Sequence, residues 1–157
     1  MSSARFGHWL AAALATAALI VVALPSPAAA ASRGSSYNGL ALTPPMGYND
    51  WSYYQCTENQ QVMLQQARAL VRTGLAAKGY DTVTTDDCWM AKTRGANGLL
   101  RTDRARFPRG MAYLGRRLHA MGLKFGIYED GGTHTCGGFA GSWGHYKSTA
   151  EQFARWG

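Results

Sequence analysis

Residues 80–89 read YDTVTTDDCW, in which β-forming residues lead directly into two adjacent acids, Asp86 and Asp87. Valine and threonine are enriched in strands, so this stretch predicts a short strand that ends at the acids. The same pattern, a predicted strand followed by acidic residues, occurs twice more. Residues 42–51 (LTPPMGYNDW) and residues 123–130 (LKFGIYED) also predict short strands that end in acidic side chains. Three strands with carboxylates at their ends decide the fold prediction.

A segment with helical periodicity follows each predicted strand. Thr57 and Gln60, three residues apart, predict a capping box before the first helix, and Gly79 predicts its C-terminal cap. The apolar face of that helix comprises Met63, Ala67, Leu70, Val71 and Leu75. The apolar face of the second helix comprises Met111, Leu114, Leu118 and Met121. Residues 149–156 predict a third helix, so strand and helix alternate three times.

This alternation predicts a parallel sheet with helical crossovers. In a (β/α)8 barrel the active site lies at the carboxyl ends of the strands, where this sequence repeats its acids. A doubly wound sheet also binds ligands there, but no glycine-rich phosphate loop follows the first strand. A complete barrel takes roughly 250 residues, more than the 157 residues of this chain. We therefore predict the α/β class and a partial (β/α)8 TIM barrel, with the first three β-α units only.

The N-terminus has the pattern of a secretory signal peptide. Arg5 precedes an apolar run over residues 9–24, and small residues follow two prolines after that run. The run is shorter than the ~20 residues that a membrane-spanning helix needs. We predict a signal peptide over residues 1–31 and the N-terminal part of the barrel domain over residues 32–157. The mature protein is expected to be secreted, with no membrane association after cleavage.

The charge pattern does not favour nucleic acid as a partner. The net charge is +7, from 16 Lys and Arg residues against 9 Asp and Glu residues. These charges are scattered, and Asp103 and Pro108 interrupt the one cluster, at residues 101–109. An ordered basic stripe with stacking aromatics is missing from the pattern. We interpret the basic residues as a solvated surface.

The three cysteines, Cys56, Cys88 and Cys136, leave one thiol over if two of them pair. Export exposes them to an oxidising compartment, where disulfides persist. The remaining cysteine is either free or paired with a residue outside this sequence. No CxxC motif or His/Cys cluster suggests a metal site, and no role is assigned to His119, His134 and His145.

The acid pair and three aromatic residues are the candidate functional groups. Asp86 and Asp87 suit sugar binding, because a carboxylate accepts hydrogen bonds from hydroxyls, but they also suit a metal, acid–base chemistry or a simple turn. Trp89 beside them strengthens the functional interpretation. Trp51 could stack on the apolar face of a pyranose or lie in the core. Tyr128 could offer a hydroxyl or pocket wall, or it could also be core.

A set of motifs in a fixed order resembles glycoside hydrolase family 27, which contains the α-galactosidases (melibiases) and α-N-acetylgalactosaminidases. The resemblance runs from about residue 38 to residue 157 and depends on the ordered set, not on one motif. The motifs are residues 42–51, 86–89 (DDCW), 107–110 (FPRG), 122–128 (GLKFGIY), 135–136 (TC) and 153–157 (FARWG).

The resemblance implies particular roles for four residues: Trp51, Asp86, Asp87 and Tyr128. The tryptophan would lie under the sugar, the acid pair would bind galactose hydroxyls, and the tyrosine would line the pocket. It further implies a disulfide between Cys56 and Cys88, with a partner for Cys136 beyond residue 157.

The family hydrolyses terminal α-linked galactose by a retaining mechanism, in which one Asp is the nucleophile and a second is acid and then base, roughly 5 Å apart. The nucleophile ends the fourth strand of the family's barrel, in a Lys-x-Asp motif. Both catalytic residues are therefore expected beyond Gly157, and no residue of this chain is assigned a catalytic role. The 157-residue chain alone is predicted to be inactive. The expected partner is a carbohydrate, no cofactor is expected, and the sequence does not give the oligomeric state.

Tyr48, Asp50 and Glu129 differ from the residues that the family usually has. They leave open a β-L-arabinopyranosidase, an α-N-acetylgalactosaminidase or an isomalto-dextranase of the same family. A non-catalytic, secreted glycan-binding remnant is a further alternative, and a secreted α/β protein without assignable activity is another.

Overall fold

Three short parallel strands form the sheet in the computed structural model, which describes residue 39 and residues 42–157. They are β1 (Gly47–Asn49), β2 (Thr82–Thr85) and β3 (Lys124–Ile127), in the order β1-β2-β3. Asn49 of β1 lies beside Thr84 of β2, and Thr85 lies beside Ile127 of β3. All three strands therefore end at the same edge of the sheet, as the sequence predicts. The predicted signal peptide over residues 1–31 falls outside the described residues.

Helices follow each strand. They are α1 (Trp51–Tyr54), α2 (Gln60–Arg72), α3 (Met111–His119) and α4 (Tyr146–Ala154), with 3-10 turns at Gln55–Thr57 and Ala76–Lys78. Helix α2 packs against β2, and α3 packs against both α2 and β3. None of the helices in the described part of the chain has the length and apolar character that crossing a membrane requires.

The N-terminal cap of α2 is Asn59, so the capping box predicted at Thr57 is wrong. The Asn59 side chain accepts 3.0 Å hydrogen bonds from the backbone N–H groups of Gln61 and Val62. Thr57 instead donates its hydroxyl to the carbonyl of Tyr54, at 2.6 Å, and so serves the preceding turn. Asparagine at this position satisfies the free N–H groups of the first helical turn equally well.

The C-terminal end of α2 also differs from the prediction. The helix stops at Arg72, so Leu75 lies beyond it, and both Val71 and Leu75 are exposed. Gly79 has a φ of 96°, in the left-handed region that glycine favours, but it ends the 3-10 turn Ala76–Lys78. Glycine therefore stops a helical turn where predicted, but that turn is not the last turn of α2.

The core lies between the helices and the sheet. Its members are apolar side chains from β2, α2, α3 and the loops after the strands: Met63, Ala67, Leu70, Val83, Met90, Phe107, Met111, Leu114 and Leu118. Trp89 is also fully buried, with its ring edge-on to Trp156 at 5.6 Å between ring centroids. Its indole N–H donates a 2.9 Å hydrogen bond to the carbonyl of Tyr128. Trp89 is therefore a core residue that ties β2 to β3, and it does not strengthen the functional interpretation of the acid pair.

Candidate functional site

The ends of the three strands bring the predicted site residues to one edge of the sheet. Residues 49–51 follow from β1, residues 86–88 from β2 and residues 128–130 from β3. Carboxyl ends of parallel strands share an edge, which is why side chains distant in sequence meet there.

Asp86 is the accessible member of the acid pair. Its side chain is half-buried, and Oδ2 accepts a 2.7 Å hydrogen bond from the amide Nδ2 of Asn49. Its other oxygen, Oδ1, accepts a 2.8 Å bond from the backbone N–H of Asp87. A carboxylate has about four acceptor positions, so Asp86 keeps positions available for a ligand hydroxyl.

Asp87 is the buried member, with 2% of its surface exposed. Oδ1 accepts a 2.7 Å bond from the backbone N–H of Cys88, and Oδ2 accepts a 2.7 Å bond from that of Gly137. These two short bonds from backbone amides hold the carboxylate in one orientation. The adjacent acids therefore have different environments, one facing outward and one inside the fold.

Asp50 is fully buried behind the pair. It accepts a 2.9 Å bond from the backbone N–H of Asp86 and a 3.4 Å bond from the hydroxyl of Thr85. Burial raises the pKa of Asp50 to about 6, and the negative charge of Asp86 adds to that rise. Asp50, which follows β1 directly, supports the backbone of Asp86 and is not free to bind a ligand.

The two predicted aromatic residues flank the acids. Trp51 begins α1, is half-buried, packs partly against the core and donates its backbone N–H to Oδ1 of Asn49 at 2.9 Å. Tyr128 follows β3 and is also half-buried. Burial raises the pKa of Tyr128 to about 12, and the charge of Asp87 and the neighbouring Cys136 thiol act in the same direction.

Glu129 belongs to a different environment from the acid pair. The hydroxyl of Ser142 donates a 2.8 Å bond to its Oε1, and a guanidinium nitrogen of Arg94 lies 3.8 Å from the same oxygen. Burial raises the pKa of Glu129 to about 7. Glu129 therefore does not extend the Asp86–Asp87 pair.

Cys56 and Cys88 form a disulfide, which confirms the predicted bond between the segments that follow β1 and β2. Cys136 is exposed and has no disulfide partner within the described residues. His119 is exposed at the end of α3. The sequence does not single out Asn49 as a functional residue. Its role is visible only in the sheet register, which places it beside Thr84, two positions before Asp86.

The sequence and the fold both match known α-galactosidases. Residues 43–157 match the family described as alpha galactosidase A, which is most of the chain. The chain belongs to the alpha galactosidase A family. This confirms the resemblance to glycoside hydrolase family 27.

Relatives of this family member include the probable α-galactosidase A of Aspergillus fumigatus, which is 47% identical over 118 residues, covering 75% of this chain and 22% of the relative. The crystal structure of α-galactosidase I from Mortierella vinacea aligns with a TM-score of 0.74 and 43% identity, over 76% of this chain and 30% of that one. The α-galactosidase of Saccharomyces cerevisiae solved with raffinose aligns with a TM-score of 0.74 and 38% identity. This alignment covers 77% of this chain and 26% of the yeast chain. This family member therefore spans about a quarter of the length of such relatives.

Proposed function

We propose that this chain is the N-terminal part of a secreted α-galactosidase that removes terminal α-linked galactose from oligosaccharides or glycoconjugates. Its three β-α units would be the first three of a (β/α)8 barrel, and residues 1–31 would be its signal peptide. The observation that carries the proposal is the meeting of Asp86, Asp87, Trp51 and Tyr128 at the carboxyl edge of a parallel sheet in a member of this family.

Each of these side chains has an environment that suits a sugar. Asp86 is outward-facing and keeps acceptor positions for a hydroxyl, whereas Asp87 is held in one orientation by the amides of Cys88 and Gly137. The half-buried indole of Trp51 offers an aromatic face, which packs well against the apolar face of a pyranose. The neutral Tyr128 hydroxyl adds one donor and acceptor.

The proposed reaction is retaining hydrolysis, with the nucleophile and the acid/base supplied by sequence after Gly157. The residues of this chain would bind and orient the sugar, and expulsion of water by the binding surface would strengthen those contacts. The raffinose in the related yeast structure supports an α-galactoside as the substrate class. By this proposal the 157-residue chain alone has no glycosidase activity.

The test is turnover by the full-length product of the gene that encodes this chain. A panel of 4-nitrophenyl glycosides (α-galactoside, α-N-acetylgalactosaminide, β-L-arabinopyranoside) and isomalto-oligosaccharides would be compared by kcat/KM, with the product anomer followed by NMR. We expect the α-galactoside to be preferred and the first-formed galactose to be the α-anomer.

Asp86→Asn should raise the KM of that reaction about tenfold or more, because a hydroxyl acceptor is lost.

Preference for another glycoside would select one of the other activities of the family. Binding of galactose without any turnover would select the glycan-binding alternative. A gene that continues into a strand ending in Lys-x-Asp would support the enzyme, and a stop codon directly after Gly157 would contradict it.

A further inference from the structure

The side-chain amide of Asn49 joins two of the proposed sugar-binding residues. Its Nδ2 donates a 2.7 Å hydrogen bond to Oδ2 of Asp86, and its Oδ1 accepts a 2.9 Å bond from the backbone N–H of Trp51. The nitrogen and the oxygen of one amide thus bond to residues that follow two different strands.

The sheet register places Asn49 for this role. Asn49 is the last residue of β1 and lies beside Thr84, so the side chain of Asp86, two positions further along, comes within its reach. A hydrogen bond from a neutral amide to an ionised carboxylate is short and stronger than one between neutral groups. It therefore restrains the rotation of the Asp86 side chain.

We propose that Asn49 is a positioning residue, which holds the carboxylate of Asp86 in the orientation that accepts a galactose hydroxyl. This inference rests on the proposed function, because it assigns to Asp86 the binding of the sugar. One oxygen of Asp86 is held by the N–H of Asp87 and the other by Asn49. The remaining acceptor positions of both oxygens then point in fixed directions.

A purely structural role would leave a different pattern of contacts. Asn49 is exposed, so burial in the core does not account for its placement. Its two hydrogen bonds both lead to proposed ligand-binding residues. Fixing an oriented acceptor before the ligand arrives reduces the ordering that binding must supply.

The variant that isolates this contact is Asn49→Asp in the full-length protein. The new side chain keeps an oxygen for the N–H of Trp51, but its second oxygen now faces the carboxylate of Asp86 where a donor stood. We expect the KM for 4-nitrophenyl α-galactoside to rise about tenfold or more while kcat changes less than about threefold. Binding that is equal in the ground state and the transition state changes KM and leaves kcat.

Asn97→Asp is the matched control. The Asn97 side chain also accepts a bond from a backbone N–H two residues on, that of Leu99 at 3.2 Å, and it is exposed in the loop after β2. This control should keep both constants within about twofold. If Asn49→Asp folds poorly, Asn49→Ser keeps an acceptor for the N–H of Trp51 without a second charge, and it should raise KM in the same direction.

The outcomes separate this inference from the proposed function. If the unaltered protein hydrolyses α-galactosides and the Asn49 variants keep its KM, the positioning role of Asn49 is overturned and the proposed function stands. A fall in kcat with unchanged KM overturns it too, since that pattern is not one of lost sugar binding. If the unaltered protein neither hydrolyses α-galactosides nor binds galactose in a calorimetric titration, both proposals fall.

Discussion

The carboxylate of Asp87 accepts a 2.7 Å hydrogen bond from the backbone N–H of Gly137, which lies 50 positions further along the chain. This bond ties the end of β2 to the loop that follows β3. A Cβ atom on Gly137 would lie 2.9 Å from Oδ2 of Asp87 and 3.0 Å from the ring of Phe139. The close approach of backbone to carboxylate therefore requires glycine at this position.

Gly137→Ala should displace the Asp87 carboxylate and weaken sugar binding. Overpacking of this kind costs about 1–3 kcal/mol of unfolding free energy, and we expect KM to rise along with it. Steady-state kinetics and chemical denaturation of the full-length protein measure the two effects. The control is Gly131→Ala, where the nearest atom to a new Cβ is 4.0 Å away on Tyr146. Equal KM values and equal unfolding free energies for Gly137→Ala and Gly131→Ala would contradict the requirement for glycine at position 137.

Asp50→Asn should make the protein less sensitive to pH. Burial raises the pKa of Asp50 from 3.8 to about 6. The stability that the protonated group contributes is therefore full below about pH 4 and is lost as pH rises through about 6. The asparagine keeps an acceptor for the N–H of Asp86 and removes the buried charge.

The free energy of unfolding of Asp50→Asn relative to the unaltered protein should accordingly improve by on the order of 1–3 kcal/mol between pH 4 and pH 7. Urea unfolding at several pH values measures this difference. A difference that does not change with pH would show that the pKa of Asp50 is not raised in the folded protein.

Arg106→Met should destabilise the protein by about 1–3 kcal/mol near pH 9, because it removes the partner of a buried acid that is mostly ionised there. A guanidinium nitrogen of Arg106 lies 3.2 Å from Oε1 of Glu58, whose side chain has no exposed surface. Burial raises the pKa of Glu58 to about 8 even beside this arginine. The loss should therefore shrink at pH 5, where Glu58 is neutral.

Lys147→Met is the control for that charge removal. Lys147 is 91% exposed and lies 3.9 Å from Glu151 on α4. Exposed pairs contribute about 0–1 kcal/mol, so the control should be close to neutral at both pH values. Adding Glu58→Gln to the Arg106→Met variant should recover part of the lost unfolding free energy. If it recovers none, the loss comes from altered packing and not from the unpaired Glu58.

Removal of the disulfide by Cys56→Ser with Cys88→Ser should cost about 2–4 kcal/mol, because the bond closes a loop between distant segments of the unfolded chain. The two cysteines are separated by 32 positions. Thermal unfolding should show a lower Tm, and peptide mapping under non-reducing conditions should recover the Cys56–Cys88 pair. Recovery of either cysteine joined to Cys136 would contradict this pairing.

Local patterns in the sequence predicted most of the architecture. β-Forming residues located β2 and β3, and the apolar spacing at Met111, Leu114 and Leu118 located the buried face of α3. Both signals depend on neighbouring residues alone, so they can be read without tertiary information. The capping box at Thr57 failed because Asn59 competes for the same role and lies nearer the first turn of the helix.

Local sequence is enough to place acids directly after the strands and to make Asp86 and Asp87 the leading candidates for the site. Which acid is accessible becomes visible in the folded chain: Asp86 is half-buried, while Asp50 and Asp87 are 0% and 2% exposed. The position of Trp89 in the core and the bond from Asn49 to Asp86 are likewise seen only there. Propensity and periodicity are properties of neighbouring residues, whereas burial and hydrogen-bond partners depend on segments tens of residues apart that meet only when the chain folds.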